Sequence, residues 1–208
     1  MPVKLIVLAA LALFFMTPLS RIVIAALFGK SIGKAALAKQ SDTIRLMPTE
    51  ASKMRKAELV QSVAALYQRA GFESAGVFYI PEMPGVYVQL LANSAESMGG
   101  AIYDHPVAGV FYDVFSRYVG GSSVTHTTAK ATGLNRPENA RAVNLPGVNA
   151  TTLIERARKE RPQSGLKPCT TTTVGPDFVA AYAEFMAWIK QRGISTSEVV
   201  KVATRKVA

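Results

Sequence analysis

The feature that most constrains this chain is its apolar N-terminal stretch, MPVKLIVLAALALFFMTPLSRIVIAALFGKSIGK. Leu5 to Leu19 carries no charge, Ser20 and Arg21 interrupt the run, and Ile22 to Phe28 resumes it. About 20 apolar residues in a helix cross the hydrocarbon core of a bilayer. Leu5 to Phe28 is long enough to do so with some tilt, provided Arg21 reaches the headgroups. Pro18 would free a backbone carbonyl, which Thr17 could help satisfy. The expectation is a transmembrane anchor over residues 1–29, a basic juxtamembrane connector over 30–49 and an α+β soluble domain over 50–208. A rival reading is a cleaved signal peptide with its small-residue site at Ala36–Ala38. That site lies well past the apolar run, with Arg21, Lys30 and Lys34 in between, so an uncleaved signal-anchor fits better.

Charge follows the same division. The net charge is +10, yet residues 1–56 hold nine Lys/Arg against Asp42 and Glu50, and so account for +7 of it. The remaining chain carries fifteen cations against twelve acids. A nucleic-acid-binding domain would concentrate charge on its folded part, so no nucleic-acid partner is expected. Arg21, Lys30, Lys34 and Lys39 flank the apolar run on its C-terminal side, against Lys4 on the other. That asymmetry places the following domain in the cytoplasm; release after cleavage near Ala38 would instead make it periplasmic or secreted. The same cations attract anionic lipid. The expected partners are the lipid bilayer and either a protein partner or a second copy of the chain. This layout looks like that of small membrane-anchored bacterial proteins, and no motif carries a function across.

Beyond the connector, apolar positions at helical spacing predict a helix from about Glu50 to Ala70, closed by Gly71. The period then shifts to two. Five strands follow: Ala75–Ile80, Val86–Ala92, Gly100–His105, Gly109–Val119 and Ser122–Lys130. Short connections make them an antiparallel meander. Val143 to Leu145 reads as a short edge strand. Thr152-x-x-Glu155 resembles a capping box opening a helix that Pro162 must end. A helix over Asp177–Arg192 follows, ended by Gly193, and Ser195-x-x-Glu198 caps a last short one. The fold class is therefore α+β: an N-terminal transmembrane helix, then a two-layer domain with the five-stranded meander packed against N- and C-terminal helices.

Two hairpins sort the polar side chains by face. With Gly120-Gly121 as a two-residue loop, Phe115 stands opposite His126 and Asp113 opposite Thr128. With a turn at Pro106–Gly109, His105 stands opposite Val110 and Ile102 opposite Asp113. One face then gathers Asp104, Asp113, Arg117 and His126, and the other gathers Tyr103, Tyr112 and Tyr118. A carboxylate beside an imidazole can orient it and raise its pKa, which general acid/base chemistry needs. His126, Asp113, Asp104 and Arg117 are thus candidate catalytic residues for a hydrolase or isomerase. Tyr103, Tyr112 and Tyr118 are candidates for lining a small apolar ligand between sheet and helices. A one-residue register error would exchange these faces.

No nucleophile accompanies the Asp–His pair, and no phosphate loop, dinucleotide fingerprint, nucleophile elbow or zinc-binding helix occurs. Cys169 is the single cysteine, so no intrachain disulfide forms, and one Cys with two His predicts no metal site. No cofactor is expected. The reading that best fits is a non-enzymatic, membrane-anchored module for protein interaction or scaffolding.

Overall fold

The computed structural model describes residues 18–205. These fold into five α-helices and one seven-stranded mixed sheet. The chain forms two compact units. One comprises residues 41–130 and 136–187; the other comprises, of the described residues, 18–40, 131–135 and 188–205.

The first unit is built on the sheet. Its strands are β1 (Met47–Pro48), β2 (Glu73–Tyr79), β3 (Tyr87–Asn93), β4 (Met98–His105), β5 (Gly109–Arg117), β6 (Ser123–Thr127) and β7 (Ala140–Asn144), side by side in chain order. β2 to β6 are the expected meander. The expectation of five strands falls short because β1 pairs outside β2 and β7 pairs outside β6. β7 runs parallel to β6, so the sheet is mixed. A parallel neighbour needs a crossover rather than a hairpin, and residues 128–139 are long enough to supply it.

The two-layer expectation is also corrected, because helices cover both faces of the sheet. On one face, α2 (Ala57–Arg69) and α3 (Ala150–Glu160) place Val60, Tyr67, Leu153 and Ile154 against Leu91, Met98, Ile102 and Val114. On the other, Val174, Phe178 and Tyr182 of α4 (Val174–Arg192) join Ile44 against Val88, Leu90 and Ala101. The cause is legible in β3. Leu90, Leu91 and Ala92 are apolar at successive positions rather than alternate ones, as suits a strand buried on both sides.

Local chemistry explains the boundaries. Glu50 precedes only a short 3-10 turn (Ala51–Lys53), and α2 begins at Ala57. It ends in a Schellman motif: Phe72 N–H donates to Tyr67 O and Gly71 N–H to Gln68 O, with Gly71 at φ +88°. α3 starts earlier than its supposed capping box. Asn149 is the cap, its side chain accepting from Thr152 N–H at 2.9 Å. Gly99 and Gly100 are needed for space. A Cβ on Gly99 would stand 2.2 Å from the Phe115 ring, and one on Gly100 2.7 Å from the Tyr67 ring. One aromatic ring therefore lies against the strand on each face.

The second unit pairs α1 (Pro18–Ala38) with α5 (Thr196–Arg205). α1 continues through the expected anchor–connector boundary and ends at Ala38. Ala25, Gly29 and Gly33 recur every fourth residue on its buried face. A Cβ on Gly29 would stand 2.9 Å from Thr196 Cα, and one on Gly33 2.9 Å from Ile194 Cβ. The glycines thus let two helix backbones approach closely. Ser195 and Glu198 form the predicted capping box, Oγ accepting from Glu198 N–H and Oε2 from Ser195 N–H. Among the described residues no helix is long and apolar enough to cross a membrane. Leu5 to Thr17, most of the expected anchor, lie outside the described residues.

Candidate functional site

The candidate site depends on the register of β4, β5 and β6, and both hairpins differ from expectation by one residue. At the second hairpin, Tyr118 N–H donates to Ser122 O and Gly121 N–H to Tyr118 O. The loop is therefore Val119-Gly120-Gly121, with only Gly121 at positive φ (+77°). A three-residue loop ending in a left-handed glycine is the next commonest hairpin after the two-residue type. The first hairpin also has a three-residue loop, 106–108, and its left-handed glycine, Gly109 at φ +73°, is the first residue of β5, opposite His105. Its tip is held by His105, whose Nδ1 accepts from Val107 and Ala108 N–H at 3.1 and 3.0 Å. His105 is a turn residue.

Each slip exchanges faces. His126 stands opposite Val114, and Asp113 opposite Thr127. Asp104 stands opposite Val110, and Tyr103 opposite Phe111. Asp104, Tyr112, Val114, Ser116 and His126 share the face under α2 and α3. Tyr103, Asp113, Phe115 and Arg117 share the face toward α4. Asp113 and His126 thus point to opposite sides of the sheet and cannot exchange a proton directly. The four-residue acid/base cluster is not assembled, and neither is the tyrosine groove.

Each of these groups has other work. Asp104 is fully buried and accepts from Arg55 N–H (2.6 Å), Lys56 N–H (3.1 Å) and the Arg55 guanidinium (3.1 Å). Lys56 offers no capping side chain of its own, so Asp104 caps α2 from across the sheet. Arg117 donates to Asp177 O at 3.0 Å and to both Glu184 oxygens at 2.7 Å, fastening α4. Tyr112 O–H donates to Val148 O and Tyr118 O–H to Pro162 O. Tyr103 stacks on Phe111 with centroids 4.4 Å apart.

His126 is 1% exposed, and its Nε2 lies 3.2 Å from Glu160 Oε2 on α3. Burial lowers its pKa, and the Glu160 carboxylate offsets that only in part. Beside it, buried Arg161 donates to Ser116 Oγ at 2.9 Å. A serine, a histidine and a glutamate do share this face. The serine hydroxyl is bound to Arg161 rather than to the imidazole, so no nucleophile–base hydrogen bond exists.

Asp113 is the group whose chemistry is most altered. Burial pushes its carboxyl up to about 6, against the lowering effect of the Thr127 and Tyr103 hydroxyls and of Arg136. Its Oδ1 is buried without a hydrogen-bond partner among the described residues. A carboxyl titrating there could move a proton, yet it has neither an imidazole nor a nucleophile beside it. Burial also pushes the Cys169 thiol up to about 11, which makes it a poor nucleophile. Among the described residues no cluster of His, Cys, Asp or Glu could hold a metal ion.

Of the cations expected to flank a membrane, Lys30 and Lys34 are exposed on α1 and Lys39 is exposed just past its end. Arg21 is exposed near the start of the helix. No family model, curated protein or solved structure matches the chain.

Proposed function

We propose that the chain is a membrane-tethered, non-enzymatic module that holds a sheet domain at the bilayer surface for contact with a protein partner or a second copy of itself. The observation that carries this reading is the outer face of α1. Leu27, Phe28 and Ile32 are 72%, 58% and 39% exposed. Leu27 lies away from the Ala25–Gly29–Gly33 face that packs on α5, Phe28 and Ile32 border that face one turn apart, and Leu27 and Phe28 end the apolar run that begins at Leu5. Exposed large apolar side chains at helical spacing, rimmed by lysines, suit a lipid interface. The commitment of Asp104, Arg117, Tyr112 and Tyr118 to internal bonds supports a non-enzymatic role. Among the described residues β7 pairs on one side only, which supports strand addition by a partner.

Cell fractionation with alkaline carbonate extraction tests the tether. The full chain is expected in the membrane pellet, and recovery in the soluble fraction, beginning near residue 39, refutes it. A reporter fused to the C-terminus is expected to be active on the cytoplasmic side. Affinity purification from detergent-solubilised membranes is expected to return a partner or a dimer; a lone monomer argues against the interaction role.

A further inference from the structure

Along the C-terminal half of α1 lies a groove of about 800 Å³, formed within the second unit. α1 contributes Lys30, Lys34 and Leu37; the last turn of α4 contributes Lys190 and Arg192, and the link into α5 contributes Ile194. No acidic residue lines it. Lys30 and Lys34 sit one helical turn apart, so their stems lie one above the other. Neither forms an ion pair with a described residue. Lys190 Nζ donates to Gln40 O at 2.7 Å, and Arg192 binds Glu198 and stacks over Trp188 at 4.7 Å. Two cations are therefore held in place while two remain available to a ligand. Leu37 and Ile194 give the groove an apolar wall beneath that cationic rim.

We infer that this groove takes the phosphate headgroup of an anionic phospholipid, with the phosphate on Lys30 and Lys34 and the glycerol and first methylenes against Leu37 and Ile194. The inference rests on the membrane tether proposed above and names the lipid chemistry it meets. Charge complementarity selects the anion, because Lys30 and Lys34 meet no carboxylate among the residues that line the groove. Position selects the lipid: exposed Leu27, part of the apolar run that would enter the interface, stands one turn before Lys30 and Ser31 on the same side of α1. Lysine suits the role, since a diffuse headgroup needs point charges rather than a planar fork.

The test uses the full chain in a neutral detergent, with native mass spectrometry as the readout. The probes are dioctanoyl phosphatidylglycerol, dioctanoyl phosphatidic acid, dioctanoyl phosphatidylcholine and inorganic phosphate. Both anionic lipids are expected to bind at least tenfold more tightly than the choline lipid. The K30Q/K34Q double variant is expected to weaken them about thirtyfold, from roughly fivefold per lysine near a surface. K30R/K34R, which keeps both charges, is expected to retain binding, and far-UV circular dichroism confirms that each variant keeps its helices. Equal binding of the choline lipid, or an unchanged K30Q/K34Q affinity, overturns the inference. Displacement of the lipid by inorganic phosphate at equal concentration also overturns it and assigns the groove to soluble phosphate. Fractionation of wild-type cells is read separately. A pelleting protein with no anionic preference refutes the groove alone, whereas a soluble one refutes the tether.

Discussion

Replacing Asp104 by alanine tests the claim that this carboxylate is a helix cap and not a catalytic acid. The carboxylate is fully buried and receives two backbone N–H groups and a guanidinium, at 2.6 to 3.1 Å. Loss of a helix cap costs about 1 kcal/mol. A charge-assisted hydrogen bond adds roughly 1.5–3 kcal/mol. The Arg55 side chain is half exposed and regains water on losing its partner, which limits the total. The net expectation is about 3 kcal/mol, confined to the start of α2 and the strands beneath it. A chain of two units need not unfold in one step, so a single melting temperature would blur the effect. Hydrogen exchange read peptide by peptide resolves it. The α2 amides are expected to exchange about a hundredfold faster, while those of α5, in the other unit, stay unchanged. D104N keeps one acceptor and is expected to lose about 1 kcal/mol. Exchange within twofold of wild type over residues 57–69 in D104A would refute the capping role.

Further substitutions separate the remaining assignments. Gly33→Leu inserts a side chain where even a Cβ meets Ile194 at 2.9 Å, so about 2–3 kcal/mol of local destabilisation is expected, read as faster exchange in α1 and α5. Asp113 has a folded pKa of about 6, above its unfolded value, so the folded state binds the extra proton. Its contribution is present at low pH and is lost as pH rises from about 4 to 6; Asp113→Asn is expected to remove that loss in denaturation profiles. His126 has the opposite sign. Its folded pKa is depressed, so stability is full above the unfolded pKa near 6.5 and falls as pH drops below it, and His126→Gln is expected to flatten that limb. Glu198 is held at about 2, because Arg192 and the Asn135 and Ser195 donors outweigh the effect of burial. Glu198→Gln is therefore expected to remove an acid-sensitive component of α5 protection below pH 4.5, measured by exchange at pH 3 against pH 6.

What could be read from the sequence follows from which signals are local. The Gly71 closure, the Ser195–Glu198 box and the stop at Pro162 depend on a few adjacent residues and occur as expected. The meander was legible because its turns are short. Its register was not. Two consecutive glycines suggest a type I′ turn, but Gly121 alone adopts positive φ and Val119 joins the loop. One residue of loop length decides which face a side chain occupies, and it moved Asp113 away from His126. The Asp104 cap was hidden for another reason. Its donors lie 48 and 49 residues away in the chain, at a helix start with no capping residue of its own. The α4 face of the sheet was missed because adjacent apolar residues in β3 resemble a strand with one buried face and a few stray hydrophobes.

These corrections change where function should be sought. The sheet carries most of the titratable side chains that looked reactive, and the fold consumes them: Asp104 for a helix start, Arg117 for α4, and His126 for the junction with α3. Burial makes such groups costly unless paired, so their presence is explained by the partners they hold. Asp113 is the exception, since its Oδ1 lacks a partner among the described residues and burial pushes its carboxyl up to about 6, but it stands without a second reactive group. Charge that is not consumed in this way lies on α1, where Lys30 and Lys34 face a groove beside exposed apolar residues. An unpaired surface lysine costs nothing to keep, so its exposure alone is uninformative. Two of them one turn apart, over an apolar wall and with no acid opposite, form an arrangement that a solvated helix face does not require. The specific chemistry of this chain is therefore expected at the α1 surface, and substitutions there are expected to alter lipid contact while leaving the sheet unit folded.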